Sequence, residues 1–500
     1  MNVFLLFPDR DFDPKAPLPP QSEALIQDLE LETVFQAMAR SDKFLYQTIR
    51  QVLLSSLTDP AEIRYRQDIL RDCLAHPETV RRLYAIPLEA LYRKQKHWMG
   101  IFSRTPGGIL SSAVQMLEMF VELLRRLEQI AREEGDAFQS AGWRRFFEMI
   151  RRELDEAYFL EVEKHLRQLR FREGVLVSAR LGRGNEGIDY FLCKPRPSQG
   201  HWAKKIFSRK APVYSFTLHP RDDHGARALG DLRDRGLNLV ANAAAQSADH
   251  IDNFLNVLRQ ELAFYIGALH LAESLGALEM PFCFPNVLSA HTRKHTFDGL
   301  YDVALALATQ HRVVGNELEA DERDLVFITG ANQGGKSTLL RSIGQAQLMA
   351  QCGLFVPAGS FSANAVQGVF THYRREEDAS MKSGKFDEEL GRMSAIVNHL
   401  RPDALVLFNE SFAATNEREG AEIARQVIDA LLECGIKVFF VTHQYELARG
   451  YYERHNPRHL FLRAERRPDG SRTFKLFPAA PLPTSFGVDV YQKIFRDSLA

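Results

Sequence analysis

Gly330, Ala331, Asn332, Gln333, Gly334, Gly335, Lys336, Ser337 and Thr338 run consecutively and contain G-x-x-x-x-G-K-S. The apolar run Leu325-Val326-Phe327-Ile328 just before them reads as a short buried strand, and a helix is expected from Leu339. Glycines at such a strand-to-helix turn let backbone N–H groups curl around a phosphate with no Cβ in the way. The helix then presents its positive end to the same charge. Lys336 is expected to reach the β/γ oxygens of a nucleoside triphosphate, and Ser337 to hold its Mg²⁺.

Two further apolar runs end in residues able to act on such a ligand. Ala404-Leu405-Val406-Leu407-Phe408 leads into Asn409-Glu410. In P-loop ATPases this strand lies beside the P-loop; its first polar residue addresses the metal's water shell, and the next carboxylate can orient the attacking water. Glu410 is therefore the expected general base. Asn409 is the expected metal-side residue, although a neutral amide adds no charge. Lys437-Val438-Phe439-Phe440-Val441 delivers Thr442-His443, where the imidazole could sense the γ-phosphate. Lys336, Glu410 and His443 are thus the catalytic candidates, with ATP and Mg²⁺ as cofactors.

The elements that must carry this site differ between the two halves. Residues 13–20 hold four prolines, so residues 1–21 are expected to be an extended lead-in. From residue 22 to about 171 the pattern is nearly continuous amphipathic helix, broken by turn chemistry at Asp59-Pro60, His76-Pro77 and Thr105-Pro106-Gly107-Gly108. Met116, Phe120, Leu123, Leu127 and Ile130 lay one apolar stripe along a helix. Ordinary core helices and a long lever arm both fit that spacing. Short β-like runs follow at 175–179, 190–193 and 213–218, and a second long helix is expected over 247–275.

The chain carries 63 Lys+Arg against 64 Asp+Glu, a net charge of -1, so any polyanion binding must be local. The β-like segment is the local exception: residues 164–210 hold twelve Lys/Arg against three acids, a net +9. Arg180, Arg183, Lys204, Lys205, Arg209 and Lys210 are the DNA-binding candidates within it, with Trp202 and Phe207 available for contact. A solvated basic hairpin is the alternative reading. Five scattered cysteines, never in C-x-x-C, argue against a disulfide framework or a zinc ribbon and suit a reducing cytoplasm. No signal segment is expected at the N-terminus, and no apolar stretch approaches the ~20 residues of a membrane helix.

The order of these landmarks resembles the ATPase domain of the MutS family of DNA mismatch-repair and recombination proteins, relatives of the ABC ATPases, over about residues 300–495. The P-loop with its Asn332 and Gly334-Gly335 pair is similar to the family's version. So are Val356-Pro357-Ala358, Phe370-Thr371, Glu410 followed by Thr415, Asn416 and Gly420, then Thr442-His443 and Ser485-Phe486-Gly487. The resemblance implies that Val314-Gly315-Asn316 sits at the adenine. It also implies a homodimer in which each ATP is held by one P-loop and by the partner's signature segment. Ser383, Gly384, Lys385 and Phe386 match that segment together with Glu389, with Gly384-Lys385 where a Ser-Thr pair is expected. With Asn409, this departure implies tight Mg-ATP binding and slow turnover.

The fold expected from residues and resemblance together is an α/β P-loop NTPase domain of the ABC/MutS type over 291–500. A mostly helical lever/core domain over 22–290 precedes it, with a β-rich basic tip at about 172–220. The mismatch-recognising branch carries an N-terminal domain with a Phe-x-Glu wedge, which has no counterpart ahead of residue 22, so mismatch recognition itself is not expected. Nor is a nuclease-like domain expected after residue 500. The function implied is a DNA-acting ATPase, for repair or recombination, whose basic tips close around duplex or branched DNA when ATP binds. The competing class is a nucleotide-gated protein scaffold with little DNA binding and very slow hydrolysis. An ABC transporter subunit fits poorly, because no Leu-Ser-Gly-Gly-Gln signature is present.

Overall fold

The computed structural model describes residues 1–98, 105–172, 174–194, 214–375 and 384–483. The N-terminal helices are Ser22–Asp28 (α1), Leu31–Ala39 (α2), Lys43–Leu54 (α3), Pro60–Ala75 (α4) and Pro77–Trp98 (α5). Pro106–Glu134 (α6), Ala141–Glu153 (α7) and Glu156–Leu169 (α8) follow. The breaks fall where turn chemistry stops one helix and starts the next. Asp59 caps α4 by accepting from Ala61 N–H with Pro60 in the first turn, and Thr105 caps α6 by accepting from Gly108 N–H.

Two compact units emerge. The first comprises Met1–Val3, Arg82–Ala137 and Arg144–Arg259; the second comprises Phe4–Arg81, Phe138–Trp143 and Gln260–Ala500. This differs from the expected division at residue 290, because the early helices pack with the sheets of the second unit. Gln345 donates to Leu29 O at 2.9 Å, and Gln351 donates to Leu57 O at 2.8 Å.

In the first unit, α6 buries Phe120, Leu123 and Leu127 of the expected stripe, while Met116 and Ile130 are half-buried. Arg125 on the same helix lies 4.3 Å over the Phe159 ring of α8 and donates to Glu163 at 2.8 Å. By length and composition the stretch Pro106–Ala137 could cross a membrane, which corrects the expectation that no stretch comes close. The short strands Val177–Leu181 (β1) and Gly187–Leu192 (β2) pair antiparallel, near the expected runs. The expected run at 213–218 forms no strand over its described residues 214–218. The second long helix, Asp223–Ala277 (α9), is 55 residues long and starts well before the expected 247.

The second unit is built on two sheets. Asn286–Leu288 (β3), His295–Leu300 (β4), Asn316–Glu319 (β5) and Ser360–Asn364 (β7) form one, in the order β3-β7-β4-β5. The other contains Leu325–Gly330 (β6), Val369–Tyr373 (β8), Leu405–Asn409 (β9), Lys437–Val441 (β10), His459–Arg466 (β11) and Arg472–Pro478 (β12). Its order is β12-β11-β6-β10-β9-β8, parallel except for β12. The strands β6, β9 and β10 bury both faces, as parallel strands under helices must, and so read as apolar runs. The helices are Val303–Thr309 (α10), Lys336–Gln351 (α11), Lys385–Val397 (α12), Glu417–Glu433 (α13) and Tyr445–Tyr452 (α14). Phe327, Phe408, Val438 and Phe440 pack with Ile428 of α13 and Tyr451 of α14 in one fully buried cluster. Each such side chain contributes about 1.5–3 kcal/mol of burial free energy.

The expected extended lead-in contributes Leu5, Leu6 and Phe12 to this unit's core. Leu5, Leu6 and Phe12 are buried, and the fully buried Glu261 of α9 accepts the backbone N–H of all three, at 2.5, 3.1 and 2.9 Å. Arg66 of α4, also buried, donates to Leu6 O at 2.6 Å and to Cys352 O at 3.2 Å, at the end of α11. None of the five cysteines is in a disulfide.

Candidate functional site

β6 runs into the Gly330–Gly335 turn, and α11 opens at Lys336. Gly335 has φ +90°, a conformation other residues adopt at a cost, and it starts the helix. Gly330 has a second constraint. β11 pairs with β6 as far as Ala464 opposite Gly330, and a Cβ on Gly330 would stand 2.8 Å from Ala464 N. Lys336 is buried, and its ammonium donates to Gly330 O at 3.0 Å and Ala331 O at 2.9 Å, so the loop's own carbonyls hold it. Burial pushes its pKa down to about 8, opposed by the nearby Glu410 charge. Ala331 is buried, whereas Gln333 and Ser337 are exposed and Asn332, Gly335 and Thr338 half-buried. Arg472 of β12 donates to Asn332 O at 3.1 Å, bracing the loop from the sheet edge.

The strand ends converge on this turn. Ser337 Oγ donates to Asn409 Oδ1 at 2.8 Å. β10 lies between β6 and β9, and the side chains of Ser337 and Asn409 meet across it, so the end of β9 lies beside the P-loop. Glu410 leaves β9 with φ +54°, and its N–H donates to Val441 O at 2.9 Å. The His443 imidazole Nε2 is 2.8 Å from Glu410 Oε1. That hydrogen bond is the main cause holding the Glu410 carboxyl below its ordinary value, against the opposing effect of burial. A metal fits here as an ion carried mostly by phosphate oxygens. The protein offers one hydroxyl and one neutral amide, and among the described residues no three His, Cys, Asp or Glu side chains form a metal-sized cluster.

Behind the site, the signature-like helix is tied to the residues after Glu410. Gly384 occupies the cap of α12, Lys385 and Phe386 form its first turn, and Ser383 lies outside the described residues. Glu389 Oε1 accepts from Phe412 N–H at 2.5 Å, while Gln444 donates to Phe412 O at 3.2 Å. A Cβ on Gly420 would stand 2.1 Å from that same carbonyl, which explains a glycine there. His372 is buried between Ser411 Oγ at 2.8 Å and Glu389 O at 3.0 Å, and burial pushes its pKa down to about 4.

The remaining expectations divide. Asn316 is buried with its amide committed to β12: it donates to Phe474 O at 3.1 Å and accepts from Leu476 N–H at 2.9 Å. Phe474 itself, exposed and at φ +61°, has its backbone beside Gly335. Neither Phe474 nor Arg472 and Arg374 was singled out from the sequence. The signal available was the Asp469-Gly470-Ser471 turn, which returns a strand to the loop, and the Arg374-Arg375 pair closing an apolar run. Arg180 is exposed, 3.9 Å from Asp189, and Arg183 lies in an exposed turn. Lys204, Lys205, Arg209, Lys210, Trp202 and Phe207 lie outside the described residues, as do Ser485, Phe486 and Gly487.

Comparison with known proteins places both halves. The family model described as MutS2 N-terminal domain matches residues 58–278, and that described as MutS domain V matches residues 326–496. The endonuclease MutS2 of Lacticaseibacillus casei (strain BL23) is 36% identical over 219 residues, 42% of this chain and 28% of that protein. The DNA mismatch repair protein MutS of Synechococcus sp. (strain JA-2-3B'a(2-13)) is 26% identical over 446 residues, 80% of this chain and 49% of that protein. The chain therefore spans half or less of the length of these curated relatives. With MutS-family models matching residues 58–278 and 326–496, the chain belongs to the MutS family.

Proposed function

We propose that this chain is an ATP-binding and slowly hydrolysing ATPase that acts on DNA in repair or recombination, as a homodimer with ATP between the subunits. The observation that carries it is the convergence of Lys336, Ser337, Asn409, Glu410 and His443 at the ends of β6, β9 and β10. Glu410, held as a carboxylate by His443, is the group to orient a water, and Lys336 the group to meet the β/γ-phosphates. Ser337 and the oxygen of Asn409 are the protein groups that would hold Mg²⁺, which would offset the charge of the phosphates. The α12 segment from Gly384 to Phe386 is the part offered to a partner's ATP. DNA would be met by the basic residues of 164–210, and closing of the dimer by ATP would be linkage: the closed state is favoured by the nucleotide's differential affinity for it. The relatives' names, endonuclease MutS2 and DNA mismatch repair protein MutS, support DNA as the partner class.

The test is ATP hydrolysis by the purified chain with no DNA and with linear, mismatched or four-way-junction DNA, beside a Lys336→Ala variant. Stimulation by one DNA form, lost in the variant, is the expected result. Undiminished ATP binding by Lys336→Ala would overturn the nucleotide site. Absence of DNA retention at low salt would favour the scaffold reading, because phosphate contacts give affinity that falls with salt by a slope of about −0.9 per phosphate.

A further inference from the structure

The turn that carries Glu410 has a conformation that L-residues do not adopt unaided. Glu410 has φ +54° and Phe412 has φ +61°, so both stand in the left-handed region with one residue between them. A backbone held there persists only where its surroundings over-determine it. Here the surroundings can be named. Glu410 N–H donates to Val441 O at 2.9 Å, and Gln444 donates to Phe412 O at 3.2 Å, with both partners at or just beyond the end of β10.

The other side of the turn is held by α12 and β8. Glu389 Oε1 accepts from Phe412 N–H at 2.5 Å. The His372 ring stacks on the Phe412 ring, with centroids 5.3 Å apart and planes 19° from parallel. Its Nε2 meets Glu389 O at 3.0 Å, and a carbonyl only accepts, so Nε2 carries the proton. The unprotonated Nδ1 and the His372 carbonyl then both face the Ser411 hydroxyl.

Glu389, Met393 and Ile396 form the buried face of α12, and the last two belong to the apolar cluster that holds Phe408 and Phe412. Packing alone asks for a third apolar side chain there. Burial raises the Glu389 pKa, and Oε2 is buried without a hydrogen-bond partner among the described residues. Against that cost stand the N–H groups of Phe412 and Ala414 and the charges of Arg392 and Arg374. The nucleotide loop is held differently, with Lys336 bound to Gly330 O and Ala331 O.

We propose that Glu389 and His372 are positioning residues for the base: through them α12 holds the Glu410 turn of its own chain, so that displacing α12 slows hydrolysis and leaves ATP bound. This rests on Glu410 being the base, as proposed above.

The test is single-turnover hydrolysis of radiolabelled ATP by the full chain, set beside ATP affinity from equilibrium titration, both in MgCl₂. Glu389→Leu keeps the bulk and removes the acceptor. It is expected to slow hydrolysis by about 10- to 100-fold, the effect of a misplaced group, and to change affinity by less than about threefold. Glu389→Gln restores an acceptor for Phe412 N–H and should regain most of that rate. His372→Phe keeps a stacked ring but loses both nitrogens; it should slow hydrolysis by about tenfold, and it gives an independent reading should Glu389→Leu fail to fold. In a Glu410→Gln background neither substitution should slow the residual hydrolysis further, because both act through the base.

Glu389→Leu at the parent's rate, Glu389→Gln as slow as Glu389→Leu, or additive slowing in the Glu410→Gln background each overturns the inference. So does a loss of affinity equal to the loss of rate, which marks a general structural role. A parent that binds ATP without hydrolysing it, or a Glu410→Gln chain as fast as the parent, overturns the reading of Glu410 as the base, and this inference with it.

Discussion

His443 Nε2 lies 2.8 Å from Glu410 Oε1, and the two residues end adjacent parallel strands, β10 and β9. This bond is the main cause that depresses the Glu410 carboxyl, so Glu410 loses its charge at a lower pH than an ordinary glutamate. Glu410→Gln is expected to slow single-turnover ATP hydrolysis by about 100-fold or more while ATP binding changes little, the effect of losing a positioned base. His443→Ala should slow it less and move the acid limb of the pH–rate profile to higher pH, because the carboxyl then titrates nearer its ordinary value. An acid limb that stays in place in His443→Ala would show that the imidazole does not set the state of the base.

Lys336 yields a prediction on the alkaline side. Burial lowers its pKa to about 8, below the ordinary lysine value, so the nucleotide-free protein loses this charge as pH rises through 8. Phosphate oxygens favour the charged form, and ATP binding above that pH must therefore be coupled to proton uptake. Affinity should be level below about pH 7.5 and fall by up to about tenfold per unit above the lysine's pKa. Titrations in buffers of different ionisation enthalpy should report the proton taken up. A pH-independent affinity from 7 to about 9.5 would mean that the ammonium keeps its charge without ligand.

The parts of this molecule that sequence exposes are those where local chemistry suffices. G-x-x-x-x-G-K-S between an apolar run and a helix specifies its own turn, and Asn409-Glu410 and Thr442-His443 mark strand ends because the buried runs before them are unbroken. Which strand neighbours which is a different matter. Parallel pairing joins segments over a hundred residues apart, and nothing local to 404–410 or 437–443 states that β10 separates β9 from β6. The start of α9 was hidden for a local reason: Gly225, Gly230 and Gly236 weaken the helical signal over its first turns, while the apolar rows after residue 247 are strong. Asn316 shows the limit of a motif. Its position in the order was legible, but the commitment of its amide to Phe474 and Leu476 on β12 depends on a hairpin more than 150 residues away.

The same limit applies to Glu261, whose contacts lie about 250 residues back along the chain. Its carboxylate accepts the N–H groups of Leu5, Leu6 and Phe12, and burial raises its pKa from 4.5 to about 7 in spite of them. With the folded value above the unfolded one, its contribution to stability is fully present below pH 4.5 and is lost as pH rises through about 7. Glu261→Gln removes that titration and turns an amide NH₂ toward backbone donors, leaving one or two buried N–H groups without an acceptor. At about 1–3 kcal/mol for each stranded group, the variant should be about 2–4 kcal/mol less stable near pH 6. Its stability should also vary less with pH between about 5 and 7 than the parent's. Urea midpoints across that range measure both quantities, and faster amide exchange at Leu5, Leu6 and Phe12 would place the loss at the N-terminal segment. A Gln variant with the parent's midpoint and the parent's pH slope would mean that the segment is held by Arg66, which donates to Leu6 O, and by Tyr265, which donates to Leu5 O, with no contribution from the carboxylate.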